Sequence, residues 1–210
     1  MKIITINREF GSGGREVGKR LADALGFAYF DTEIVEAIAE RSKVDAEYVH
    51  DLLERGVFND ISLTFAHSFA YAPQYHKSFA IMEHQNQIVK ELAAQGDCII
   101  VGKNADTILK DQNPLKLFVH ADMEYKIKRC MERAEEDEKN LTERQIKRKI
   151  KKIERARASD HAYYSEIRWG DKRGYDLCLN TTGLEIKSVI PALAEFAKAW
   201  FDKKKEKDGE

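Results

Sequence analysis

Cysteine is scarce in this chain: three in 210 residues, scattered and odd in number. There is no CxxC pair and no Cys/His cluster, which excludes a disulfide framework and the common zinc sites. Cys98 and Cys178 lie inside apolar runs and are expected to be reduced core residues. Net charge is nearly absent as well. Lys and Arg number 35 against 36 Asp and Glu, a formal charge of −1, so no global basic field points to nucleic acid. No apolar run approaches the length of a membrane span, and no secretory signal opens the chain. A soluble cytoplasmic protein is expected, with no nucleic-acid or membrane partner. His67, His76 and His84 lack metal-ligand spacing and read as exposed or hydrogen-bonded side chains. No internal repeat is visible.

The chain is organised around its N-terminus. Lys2-Ile3-Ile4-Thr5-Ile6 is short, apolar and β-branched, as a buried strand is. Asn7-Arg8-Glu9-Phe10 follows, and then Gly11, Ser12, Gly13 and Gly14 in direct succession. Val17, Leu21, Ala22 and Leu25 then recur at helical spacing, and Gly26 stops the run. Strand, glycine-rich turn and helix form an arrangement that cradles phosphate. Glycines let backbone N–H groups turn inward, and the helix N-terminus adds positive potential.

The pattern GxxxxGK[ST] can be laid on this stretch in two registers. A literal fit runs from Gly13 to Lys19, but it begins seven residues after the strand and leaves barely two helical turns. The other begins near Arg8 and starts the helix at Gly13-Gly14-Arg15. This second register fits the geometry better and puts Gly14 at the lysine position. Arg15 and Glu16 then stand where a hydroxyl should hold Mg²⁺. Arg15 is the candidate to supply the missing charge, because guanidinium binds phosphate bidentately. Lys19, one turn on, is the alternative.

Four more strands follow, with helices between them: Phe27–Phe30, Cys98–Val101, Leu115–Val119 and Tyr175–Leu179. Helices are expected over Glu33–Arg41, Val44–Glu54 and Phe79–Gln95, after Asp122, and over Leu184–Trp200, with a frayed charged tail from Lys203. Asp31 follows the second strand and reads equally as a helix cap or as a group facing a ligand crevice. Gly102-Lys103-Asn104 ends the third strand, where ligands meet open α/β sheets. The aromatic stretch from Phe58 to Phe79 reads as a pocket wall, a substrate flap or a dimer face. The very charged stretch Ala134 to Ala158 reads as a solvated helical hairpin or as a lid whose arginines close over phosphates. The sum is an α/β doubly wound sheet with a helical lid before the last strand.

The run from Ile4 through Arg8-Glu9-Phe10-Gly11-Ser12-Gly13-Gly14-Arg15-Glu16 to Ala22 resembles the cytidylate kinase-like family, a branch of the P-loop nucleoside monophosphate kinases. Ile100 to Asp106, Arg157-Ala158-Ser159 with Tyr163-Tyr164, and Trp169 to Asn180 match it too. The resemblance implies a P-loop NTPase-type three-layer fold with a five-stranded parallel sheet. It also implies one kinase-like domain with an acceptor-binding helical insertion over about 33–95 and a lid over about 134–165. The implied reaction is ATP plus CMP or dCMP giving ADP plus the diphosphate, with Mg²⁺.

By position, Gly11, Ser12, Gly13, Gly14, Arg15 and Glu16 would hold ATP phosphates, with Glu16 the one metal candidate, and Asn180 and Thr181 would pass near adenine. Asp31, Lys103 and Asp106 would lie near the acceptor. Arg129, Arg133, Arg155 and Arg157, with Arg15, would gather charge around the transferred phosphoryl group. Well-studied cytidylate kinases carry GxGKGT here, so both lysine and hydroxyl are missing. Lys103 stands where related sequences carry arginine, and Asp31 is followed by Thr32-Glu33 in place of Ser-Gly. Three readings follow: a nucleotide kinase, a nucleotide-binding regulator without catalysis, or a kinase for another small acceptor. A homodimer through residues 58–79 is a further expectation.

Overall fold

The computed structural model describes residues 1–55, 73–134 and 139–208. Five parallel strands form one sheet in the order β2-β3-β1-β4-β5. They are β1 (Ile3–Arg8), β2 (Ala28–Phe30), β3 (Cys98–Val101), β4 (Leu115–His120) and β5 (Leu177–Asn180). Eight α-helices are described: α1 (Gly14–Leu25), α2 (Thr32–Ser42), α3 (Ala46–Arg55), α4 (Pro73–Ala93), α5 (Ala105–Ile108), α6 (Met123–Glu132), α7 (Glu143–Tyr164) and α8 (Ile186–Asp208).

The strands are apolar on both faces because helices cover both. Ile4, Ile6, Ile99, Val101, Leu115, Leu117 and Val119 face α1 and α8. Alternate residues, among them Ile3, Cys98 and Ile100, pack with Ile34 and Ile38 of α2 and Ile81, Ile88 and Val89 of α4. This is the expected three-layer α/β arrangement. The chain leaves β1 towards β2 and β3, then crosses back to β4. The strand order therefore reverses around β1, and the loops after β1, β3 and β4 meet at one crevice.

Several elements differ from expectation. Helix α4 starts at Pro73, earlier than Phe79; proline suits the first helical position because its missing N–H has no partner to lose. The charged stretch forms no hairpin within the described residues but one 22-residue helix, α7, which continues through Ser159-Asp160-His161. It begins at a capping box in which Thr142 and Gln145 exchange side-chain and backbone hydrogen bonds. Helix α8 continues to Asp208 instead of fraying at Lys203, since lysine and glutamate are good helix formers. Cys178 is exposed, because β5 is an edge strand whose side chains are only half covered. Cys98 is a core residue as expected. Phe58, Phe65, Phe69 and Tyr71, and with them most of the proposed dimer face, lie outside the described residues.

Candidate active site

The loop after β1 is held from behind. Ser12 is fully buried, and its Oγ donates to the carbonyls of Glu9 (2.9 Å) and Val119 (3.1 Å). Thr181, equally buried at the end of β5, has its Oγ1 2.7 Å from the Ser12 carbonyl and 3.1 Å from that of His120. Gly11 and Gly13 take left-handed conformations, with φ of 80° and 86°. A Cβ on Gly11 would press on Cys130 and the Lys126 carbonyl, and one on Gly13 on Ile186 and Arg129. Helix α1 starts at Gly14, so the second register is the one the chain adopts. In the literal register Lys19 would be the loop lysine; instead it lies mid-helix, pairs with Asp23 (3.4 Å) and covers the Tyr29 ring. Asn180 is exposed and accepts from the Thr182 N–H.

A cavity of about 250 Å³ opens over the loop, between Gly11–Glu16 on one side and Arg129, Arg133, Lys149 and Arg157 on the other. Glu16 sits at its edge and takes Arg129 at 2.6 Å, Arg133 at 2.8 Å and Arg20 at 2.8 Å. Burial works to raise its carboxyl pKa. The hydrogen bonds from Arg129 and Arg20 outweigh that and bring it down to about 2. A carboxylate shared among three guanidiniums does not fit a Mg²⁺ ligand, and no cluster of three His, Cys, Asp or Glu able to hold a metal occurs among the described residues. Behind the loop, Lys126 is buried and bridges Glu9 (2.8 Å) and Glu154 of α7 (2.7 Å). Burial disfavours its charge, but the bonds to Glu154 and Glu9 prevail and its pKa is raised.

A second, smaller cavity of about 60 Å³ adjoins the first, between Arg8, Arg15, Lys103, Arg157 and Gln85. Asp31 is buried beside two of its lining arginines, Arg8 and Arg15. It is the N-cap of α2 by position, yet its side chain makes no capping bond. Its carboxylate instead takes Arg15 Nε at 2.6 Å and Arg8 Nη2 at 3.6 Å. Lys103 has a left-handed backbone, φ 54°, and its carbonyl accepts from Gln85 Nε2. Burial, then Arg8, pulls its pKa down to about 8. Arg157 reaches across from α7, with Nη1 2.9 Å from the Arg8 carbonyl and its guanidinium over the Phe10 ring. Burial also lowers the Arg157 and Arg8 pKa values; both guanidiniums remain charged.

Arg8, Arg15, Glu54 and Arg157 line both cavities. Thus Arg15 and Arg157 meet at the junction, Arg129 and Arg133 stand on the loop side, and Lys103 and Asp31 on the far side. Asp106 lies deeper, 4% exposed, with its carboxylate 3.3 Å from His161 Nε2 of α7. Arg155 is exposed and lines neither cavity. Sequence reasoning passed over Arg8, Lys126 and Glu54. Arg8 carried one signal: a charged residue just past the apolar run, at the start of the glycine-rich loop.

A family model described as the cytidylate kinase-like family matches residues 3–183. A cytidylate kinase of Thermosipho melanesiensis is 23% identical over 93% of this chain and 96% of its own length. A cytidylate kinase of Streptococcus sanguinis is 24% identical over 95% and 98%. Among solved structures, an uncharacterised protein from Eubacterium ventriosum is 27% identical with a TM-score of 0.65, over 94% of this chain and 98% of that one. Shikimate kinase from Acinetobacter baumannii shares the fold at 12% identity and a TM-score of 0.55, over 95% and 94%. The glycine-rich loop on a 2-3-1-4-5 parallel sheet and a match over most of the length agree: this chain belongs to the cytidylate kinase-like family.

Proposed function

We propose that the protein transfers the γ-phosphoryl group of ATP to a nucleoside monophosphate, CMP or dCMP first among them. The observation that carries this reading is the junction of two cavities at Arg8, Arg15 and Arg157. One cavity lies over a phosphate-cradling loop, and the other ends at Lys103. Phosphoryl transfer needs its two oxygens aligned and its charge spread, with little covalent help from the protein. N–H groups of Gly11 to Glu16 at the start of α1 hold the donor phosphates. Arg129 and Arg133 add charge on that side once released from Glu16. Arg15 and Lys103 receive the acceptor phosphate, Arg157 spans the two, and Arg155 comes in only if the lid over about 134–165 closes. Asp31 orients Arg15, and Asp106 fixes the base of the lid helix through His161. The insertion over about 33–95 forms the acceptor side. The choice of cytidine nucleotides rests on the two cytidylate kinase relatives.

ADP release with ATP and Mg²⁺ is measured against CMP, dCMP, UMP, AMP and GMP. Turnover dependent on CMP or dCMP is expected. No turnover with any of them, while ATP still binds, would overturn the reading. It would favour a nucleotide-binding regulator, the alternative suggested by Glu16 and its three arginine partners at the position of the missing hydroxyl.

A further inference from the structure

In the adopted register, Arg8 stands at the first position of the loop pattern, where glycine is usual, and Gly14 at the position of the lysine. The two departures occupy one space. A Cβ on Gly14 would overlap Arg8 Cβ and lie 2.8 Å from its Cγ. A side chain at position 14 and the arginine at position 8 therefore exclude each other. From there the Arg8 side chain runs to Gly102. A Cβ on Gly102 would overlap Nη1 and lie 2.9 Å from Cζ. Gly102 also holds φ 73°, which favours glycine there, and its missing side chain leaves room for the Arg8 guanidinium. Asp31 closes the far end at 3.6 Å. The side chain is 10% exposed, and it borders both cavities.

We infer that Arg8 supplies the phosphate-binding cation that a lysine at position 14 would otherwise provide, its side chain entering the same space from the other end of the loop. Arg15, turned to Asp31 at 2.6 Å, is then a second, more exposed cation on the acceptor side. A planar guanidinium offers donors in two directions, where an ammonium is a point charge. At the junction it can hold the donor's terminal phosphate and the acceptor phosphate together. The catalytic part of this inference rests on the proposed phosphoryl transfer; the ATP-binding part does not.

The test relocates the charge. In the full-length protein, Arg8→Met keeps the apolar inner part of the side chain but removes the cation. Gly14→Lys adds the usual lysine against Arg8. The double variant Arg8→Gly/Gly14→Lys restores the first glycine and the lysine of the common loop, with Arg15 still at the hydroxyl position. ATP affinity is read by calorimetry, turnover with the best acceptor as kcat and KM, and folding by thermal melting. Arg8→Met is expected to weaken ATP about tenfold and to lower kcat by about 100-fold or more, the usual effect of removing one donor from developing charge. Gly14→Lys alone is expected to lower the melting temperature. The double variant is expected to recover ATP affinity to within about threefold of wild type and to regain most of kcat. ATP affinity within threefold of wild type in Arg8→Met, or a double variant that binds ATP no better than Arg8→Met, would overturn the inference. If wild type turns over no monophosphate, the kinase reading falls, and the ATP affinities alone decide on Arg8.

Discussion

Charge pairing at the candidate site is lopsided: carboxylates are outnumbered and serve to hold cations in place. Asp31 holds Arg15 and Arg8, and Glu16 holds Arg129, Arg133 and Arg20. Lys103 lacks such a close partner among its described ion pairs, and its pKa of about 8 lies below the ordinary 10.5. Two consequences follow with opposite directions. A lysine that loses its proton more readily folded than unfolded costs stability below pH 8, and that cost fades between pH 8 and 10.5. Acceptor affinity should instead weaken as pH rises through 8, because the neutral amine cannot hold an anion. Titrating CMP binding from pH 6.5 to 9.5 checks this; Lys103→Met should bind more weakly and lose the step. A step unchanged in Lys103→Met would assign it to another group.

Lys126 makes a separate claim about stability. Its removal as Lys126→Met leaves Glu9 and Glu154 facing each other without their cation. Both carboxylates keep some contact with water, so the loss should be about 2 kcal/mol, below the range for fully buried pairs. Urea unfolding measures it. A loss under about 0.5 kcal/mol would mean that the bridge contributes no more than a surface pair.

The residue-scale details were the least legible in the sequence. Asp31 stood equally as a cap or a ligand-facing group; only the folded chain brings Arg15 and Arg8 to it and leaves the cap bond unmade. The relation of Arg8 to Gly14 and Gly102 is a contact between two loops, invisible to periodicity. The glycines at 11, 13 and 14 were legible as a phosphate loop because their spacing is local.

At the scale of elements, α7 links the parts of the site. It carries Arg157 to the junction and Glu154 to Lys126, and its buried His161 meets Asp106 of α5. Its N-terminus is defined by Thr142 and Gln145. That signature could be read from Thr142-Glu143-Arg144-Gln145, but dense charge on both sides masked it and suggested a hairpin. Thr142→Ala should cost about 1 kcal/mol, the usual worth of a cap. Amide hydrogen exchange should quicken over the first turn of α7 while α1 stays unchanged. Equal quickening in both helices would show that the cap supports the whole fold. The strands were the most legible elements, since four- to six-residue apolar runs bounded by polar residues have few other outcomes. The edge position of β5 was not, because pairing order depends on crossovers that lie outside any single run. That is why Cys178 proves exposed.

Over the whole molecule, the reversal of strand order at β1 brings three loops to one crevice, and the two cavities there share a border. In the proposed reaction the two cavities work as one site, with ATP over the glycine loop, the monophosphate against Lys103, and the moving phosphoryl group between Arg8, Arg15 and Arg157. A single ligand that fills both halves tests this most directly. An analogue joining adenosine and cytidine through five phosphates should bind at least about 100-fold more tightly than ATP or CMP alone, because its second half binds without a new loss of translational freedom. Calorimetry should also find one analogue per chain, excluding both nucleotides in competition. An analogue that binds no better than ATP, or that leaves CMP binding intact, would contradict the joined site and the transfer reaction built on it.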